Sequence, residues 1–105
     1  MITIAQITLN SKKGKYMDNK IYYLVRFTRK SGKIDTTLEE TGSKEIRLWA
    51  IKNTTKTKDT LIFEKDTGIV MWYYEGTGDF PYIFDKDLGY IDDYCPGLLA
   101  VIQRD

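Results

Sequence analysis

Along much of this chain apolar and polar positions alternate with a period of two, the signature of half-buried strands. In "IYYLVRFTR" (21–29), Ile21, Tyr23, Val25 and Phe27 share one face. "KSG" then turns the chain and "KIDTTLEE" (33–40) returns, which predicts a hairpin. Residues 2–9, "ITIAQITL", alternate as well, with a slip of parity at Ala5–Gln6 that predicts a strand carrying a bulge. "NSKKGKYMDNK" (10–20) and "TTKTKD" (54–59) have little to bury and predict loops.

Residues 44–53, "KEIRLWAIKN", are ambiguous. Ser43 could cap a helix and Asn53 could end it. On a helical wheel, however, Leu48 and Ile51 fall opposite Ile46, Trp49 and Ala50, which splits the apolar face. A strand places Ile46, Leu48 and Ala50 together, and that reading is preferred here. The last apolar run, "LLAVI" (98–102), follows Pro96–Gly97 and predicts a buried strand.

An internal repeat organises the second half. "IFEKDTGIVMWYYEG" (62–76) and "IFDKDLGYIDDYCPG" (83–97) align without gaps at an offset of 21 and agree at seven of fifteen positions. A weaker copy, "FTRKSGK" (27–33), keeps the Phe and the Gly five residues later. Each reads as an apolar strand, four polar residues and a glycine free to take positive φ, so three hairpins of one turn design are expected. The fold class is therefore mainly β: a small antiparallel barrel or two-layer sandwich of about seven to nine short strands, with at most one short helix near 43–53. Its 105 residues make one domain.

Composition adds exclusions. The chain has no histidine and a single Cys95, so Ser-His-Asp and Cys-His nucleophile systems, histidine-ligated metals and a structural zinc site are all out. "GTG" (76–78) is too short for a phosphate loop and lacks the Lys-Ser/Thr that would follow. "DKDLGYIDD" (85–93) lacks the opening and the closing Glu of a calcium loop. Asp92 and Asp93 should keep the Cys95 thiol protonated and inert. No apolar run reaches membrane-spanning length, and the start has no export-signal order, so a cytoplasmic protein without cofactor or metal is expected.

Charge is unevenly spread. Residues 1–61 hold 13 Lys/Arg and 6 Asp/Glu, whereas residues 62–105 hold 3 and 9. The stretch "WYYEGTGDFPYIFDKDLGYIDDY" (72–94) contains eight aromatic rings and six carboxylates with a single lysine. It resembles the repeats of choline-binding cell-wall modules, where "WYYF" and an Asp-Gly turn recur at about this period. The Gly-Trp pairs of those modules are missing, so the likeness marks shared hairpin grammar and assigns no family.

A non-enzymatic interaction protein is the expected function. Asp79, Asp85, Asp87, Asp92 and Asp93 would meet lysines and arginines of a basic partner surface, while Trp72, Tyr73, Tyr74, Phe80, Tyr82 and Tyr90 would anchor the contact. A nucleic-acid-binding protein is one such partner, because carboxylates on a rigid sheet can imitate phosphates. Small inhibitors of host defence carried by phages and mobile elements are a class that fits. The bland alternative assigns the acids to turns and the rings to the core, although three successive rings on a strand cannot all point inward. The runner-up is a small nucleic-acid-binding barrel using Lys12, Lys13, Lys15, Lys20, Arg26, Arg29, Lys30 and Lys33 with Tyr16, Tyr22 and Tyr23.

Overall fold

The computed structural model describes residues 20–84 and 86–104. The expected strand at 2–9, the basic loop that follows it and Asp85 lie outside those residues. Five antiparallel strands form one sheet: β1 (Tyr22–Thr28), β2 (Ile34–Glu40), β3 (Lys58–Glu64), β4 (Val70–Glu75) and β5 (Tyr82–Phe84). Their order is β2-β1-β3-β4-β5. Among the described residues the sheet stays open, since β2 and β5 do not pair. The architecture is mainly β, as expected.

Two of the three expected hairpins form, β1–β2 and β3–β4. The third copy of the repeat does not close into one. After β5 the chain keeps running antiparallel beside β4, with Ile69 bridged to Tyr90 and the Val70 amide donating to the Gly89 carbonyl. It then enters a short 3-10 turn at Ile91–Asp93. The turn design persists even so: Gly32, Gly68 and Gly89, equivalent in the three copies, have φ of 73°, 77° and 77°.

Residues 43–53 are a helix, α1 (Ser43–Asn53), against the strand preferred from sequence. Topology decides the conflict. β2 and β3 flank β1 and both run antiparallel to it, so they are parallel to each other and need a crossover. α1 supplies it. Ile46 and Ala50 are buried and Trp49 packs beside them, while Leu48 and Ile51, which split the wheel, face outward. The last turn is closed by the Asn53 side-chain amide donating to the Trp49 carbonyl and by the Thr54 hydroxyl and amide donating to the Ala50 carbonyl.

Residues 98–104 form a second helix, α2 (Leu98–Arg104), in place of the expected closing strand. A short unbroken apolar run has no period to read. In the structure Leu98, Leu99 and Ile102 point to the core and Ala100 and Val101 to solvent, a helical spacing. Gly97, at φ 84°, reverses the chain just before it.

Both faces of the sheet are covered. On one, Tyr22, Leu24, Ile62 and Tyr74 pack under Ile46 and Ala50 of α1. On the other, Val25, Leu61, Phe63 and Val70 pack under Ile91 and Ile102. This two-sided cover controls what the aromatic run can do.

Candidate docking surface

Trp72, Tyr73 and Tyr74 alternate across β4 as their pleat requires; Tyr74 is buried, and Trp72 and Tyr73 are half-buried. Tyr74 is fully buried under α1, and its hydroxyl accepts from the Arg47 Nε at 2.9 Å. Trp72 lies on the same face, with the Arg47 guanidinium 4.7 Å above its ring and Tyr22 beside it. Burial raises the Tyr74 hydroxyl pKa, against the lowering effect of the Arg47 hydrogen bond. These two rings belong to the core, because a helix covers the face that the sequence alone left open.

Tyr73 faces the other way and is the root of a structure that reaches the surface. Its hydroxyl donates to Asp59 Oδ2 at 2.7 Å. Asp59 has no solvent exposure, and Arg29 donates to it through Nε and Nη2, the shortest contact being 2.7 Å. Arg29 spends its remaining donors on the carbonyls of Lys56 and Gly76. One buried carboxylate thus ties β1, β3 and β4 to two loops through a charge-assisted fork. Burial and the Asp59 bond push the Tyr73 hydroxyl far above its ordinary pKa, and the same carboxylate raises that of Arg29. Both keep their protons across the neutral range, so the cluster holds position and does not move a proton.

Sequence reading missed Asp59, which sits inside a segment expected to be a polar loop. No local signal marks it, since its partners lie 30 and 14 residues away. Gly76 belongs to the same device. A Cβ there would stand 1.7 Å from the Thr55 carbonyl oxygen, so the "GTG" glycine permits a close backbone approach.

From Tyr73 the rings step outward. Phe84 meets it edge-on at 5.1 Å between centroids, Tyr82 meets Phe84 at 4.7 Å, and Tyr94 approaches Tyr73 at 5.9 Å. Tyr82 is 56 % exposed, Phe84 36 % and Tyr94 37 %. The Tyr94 hydroxyl donates to the Leu88 carbonyl at 2.6 Å, which pins the 3-10 turn to the returning chain. Before β5, the Thr77 hydroxyl donates to the Phe80 carbonyl, closing a turn that leaves the Phe80 ring 79 % exposed. Tyr90 is exposed opposite Ile69, six residues from Glu75, the partner of Tyr82, or about 20 Å at strand rise.

Acids lie along the same segment of chain. Asp79, Asp87, Asp92 and Asp93 are exposed, and none of them takes part in an ion pair among the described residues. Asp93 instead caps the 3-10 turn by accepting from the Tyr90 amide at 3.1 Å. Asp87 holds a left-handed backbone, φ 52°. Phe80, Tyr82, Asp79, Asp87, Tyr90, Asp92 and Asp93 are thus exposed along the segment that runs through and past β5, while Tyr74 is buried and Trp72 and Tyr73 are half-buried. It adds Phe84 and Tyr94, which sequence reading left out.

The basic half looks different. Arg26 and Lys58 both bind Asp35, Lys65 binds Glu39, Lys20 binds Glu64 and Arg29 is locked on Asp59. Tyr22 is core, and Tyr23 packs half-buried on Phe63. Burial raises the Cys95 thiol pKa; the nearby acids expected to do so are not the cause.

No protein-family model matches the chain, and neither curated proteins nor solved structures give a match. Among the described residues no helix is long and apolar enough to cross a membrane.

Proposed function

We propose that this chain is a non-enzymatic interaction protein that docks a basic surface of a partner protein through the rings and carboxylates around β5. The observation that carries this reading is local. Exposed rings at Phe80, Tyr82 and Tyr90 share the segment 79–93 with Asp79, Asp87 and Asp92, which make no ion pair among the described residues, and the frame beneath is fixed by Arg29, Asp59 and Tyr73. On β2, by contrast, Asp35 is bound by Arg26 and Lys58, and Glu39 by Lys65. Rings excluding water around charged contacts are the usual composition of a binding hot spot.

The partner class favoured is a nucleic-acid-binding protein, whose groove already accepts negative charge spaced along a backbone. A small phage or mobile-element inhibitor of host defence would act this way, by occlusion. Direct nucleic-acid binding comes second: Arg26 and Arg29 are committed to carboxylates and Tyr22 is buried, while Lys30 and Lys33 are exposed without an ion pair among the described residues and Lys12, Lys13 and Lys15 lie outside them.

Chromatography on immobilised poly-lysine tests the reading. The formal net charge is +1, so retention must come from a local acidic surface. The wild type should be retained at low salt, and a triple variant Asp79→Asn, Asp87→Asn, Asp92→Asn should flow through. A salt-sensitive gel shift of single-stranded DNA by the wild type, without poly-lysine retention, would favour the nucleic-acid reading instead.

A further inference from the structure

Among the described residues the outer edge of β2 has no neighbouring strand. It ends the sheet with two half-buried apolar residues, Ile34 and Leu38. They lie four apart, which in a regular strand is one face, yet Ile34 packs with the core around Ile102 and Leu38 with the core under α1. The cause is a bulge. Phe27 pairs with Ile34 and Arg26 with Thr36, so Asp35 is the extra residue and the faces exchange across it. Beside Ile34 lies an open groove of about 480 Å³, lined in part by Leu98, Cys95 and Val101, the last 56 % exposed.

A strand beside β2 has to bring apolar residues to one face near Ile34 and to the other near Leu38. Residues 2–9 carry that pattern, since a regular strand puts Ile2 and Ile4 on one face and Ile7 and Leu9 on the other. With Ile4 set against Ile34, Ala5 meets the bulge, Ile7 falls against Leu38 on the opposite face, and Ile2 falls towards the groove. The slip of parity in the sequence is then answered by the bulge of β2. Chain length and charge agree on the direction. The described chain enters the sheet at Lys20, next to Tyr22, which pairs with Glu40. In a strand parallel to β2, Leu9 ends beside Glu40, about 10 Å from β1 at two strand spacings. Residues 10–20 can span about 36 Å when extended, so the connection closes. This direction brings Lys12, Lys13 and Lys15 towards Glu39 and Glu40, whereas the reverse brings them towards the exposed Lys30 and Lys33. A second copy is a poorer occupant: "IDTTLEE" carries three acids and no base, so two such strands would set like charges side by side.

We propose that residues 2–9 dock as a sixth strand on the outer edge of β2, parallel to it, with Ile2 and Ile4 on the groove side beside Ile34 and with Ile7 and Leu9 beside Leu38. The site uses no residue of the β5 surface, so this inference and the docking role proposed above stand or fall separately.

NMR on the full chain tests it. Nuclear Overhauser contacts should link the methyl groups of Ile4 with those of Ile34, and of Ile7 with those of Leu38. The β2 amides that point away from β1 should be protected from hydrogen exchange. In the variant Ile4→Lys, Ile7→Lys that protection should fall about tenfold while the β3 amides keep theirs. Exchanged contacts, Ile4 with Leu38 and Ile7 with Ile34, would show a strand running the other way and overturn the parallel arrangement. Absence of both contacts in the wild type, or equal protection in the variant, overturns the proposal outright. So does protection that grows with protein concentration, which would put a second copy on the edge. The wild-type contacts decide the matter should the variant fail to fold.

Discussion

The two edges of the sheet carry acids of the same kind and treat them in opposite ways. On β2, Asp35 is gripped by Arg26 and Lys58, and Glu39 by Lys65. Those bonds hold Asp35 well below the usual carboxylate range, at about 2, the Lys58 hydrogen bond being the largest cause. Around β5, Asp79, Asp87 and Asp92 have no such partners among the described residues, and Asp93 accepts from the Tyr90 amide. The uneven charge along the sequence is therefore partly cancelled on one side and left on show on the other. A charge tally cannot reveal this, because it depends on which strands are neighbours. Asp35 and Glu39 are tied into the fold, whereas Asp79, Asp87 and Asp92 make no ion pair among the described residues.

The largest break in this contrast should come from beneath β5. Arg29→Met leaves Asp59 buried without its counter-charge and should cost about 3 kcal/mol or more in urea unfolding. A loss below about 1 kcal/mol would mean that water reaches the carboxylate and that the anchor is weaker than described. Next is Gly76→Ala, which drives a methyl group into the Thr55 carbonyl and should cost about 2 kcal/mol by the same assay. The cost should appear with a shift in the amide signals of 76–84, since the chain entering β5 has to move.

A smaller effect separates the edges by pH. The Asp35 pKa is depressed in the folded state, so its stabilising contribution is complete above the unfolded value near 4. It should be lost as pH falls from there towards about 2. Asp35→Asn should therefore lower the melting temperature at pH 6 and converge with the wild type near pH 2. Parallel curves across that range would contradict the neutralised edge. The least effect on stability is expected around β5: Asp79→Asn, Asp87→Asn and Asp92→Asn should each change unfolding by less than about 0.5 kcal/mol. Asn also suits the left-handed backbone at position 87, which a lysine would strain. A large loss in any one of them would reassign that acid from display to structure.

How much of this was legible in sequence varies element by element. The β1–β2 and β3–β4 hairpins followed from alternation, and the three equivalent glycines from the repeat, because turn geometry is local. α1 was misjudged, since the need for a crossover comes from the order of strands and not from residues 44–53. α2 was misjudged because an unbroken run of five apolar residues carries no period. The alternation of Trp72, Tyr73 and Tyr74 was readable; that both faces are covered, which buries Tyr74 and half-buries Trp72 and Tyr73, was not. Asp59 was invisible, as its burial depends on two partners distant in sequence. The exposed portion of the candidate surface, Phe80, Tyr82, Tyr90 and the aspartates, was legible as composition, and its freedom from ion pairs emerged only with the fold.

The most direct test of the contrast is an amide NMR perturbation map recorded while a basic Arg-Ser octapeptide is added to the full chain. The account predicts shifts concentrated in residues 79–94, with β2 and α1 silent. Perturbations centred on β2 or α1, or spread evenly over the molecule, would contradict it.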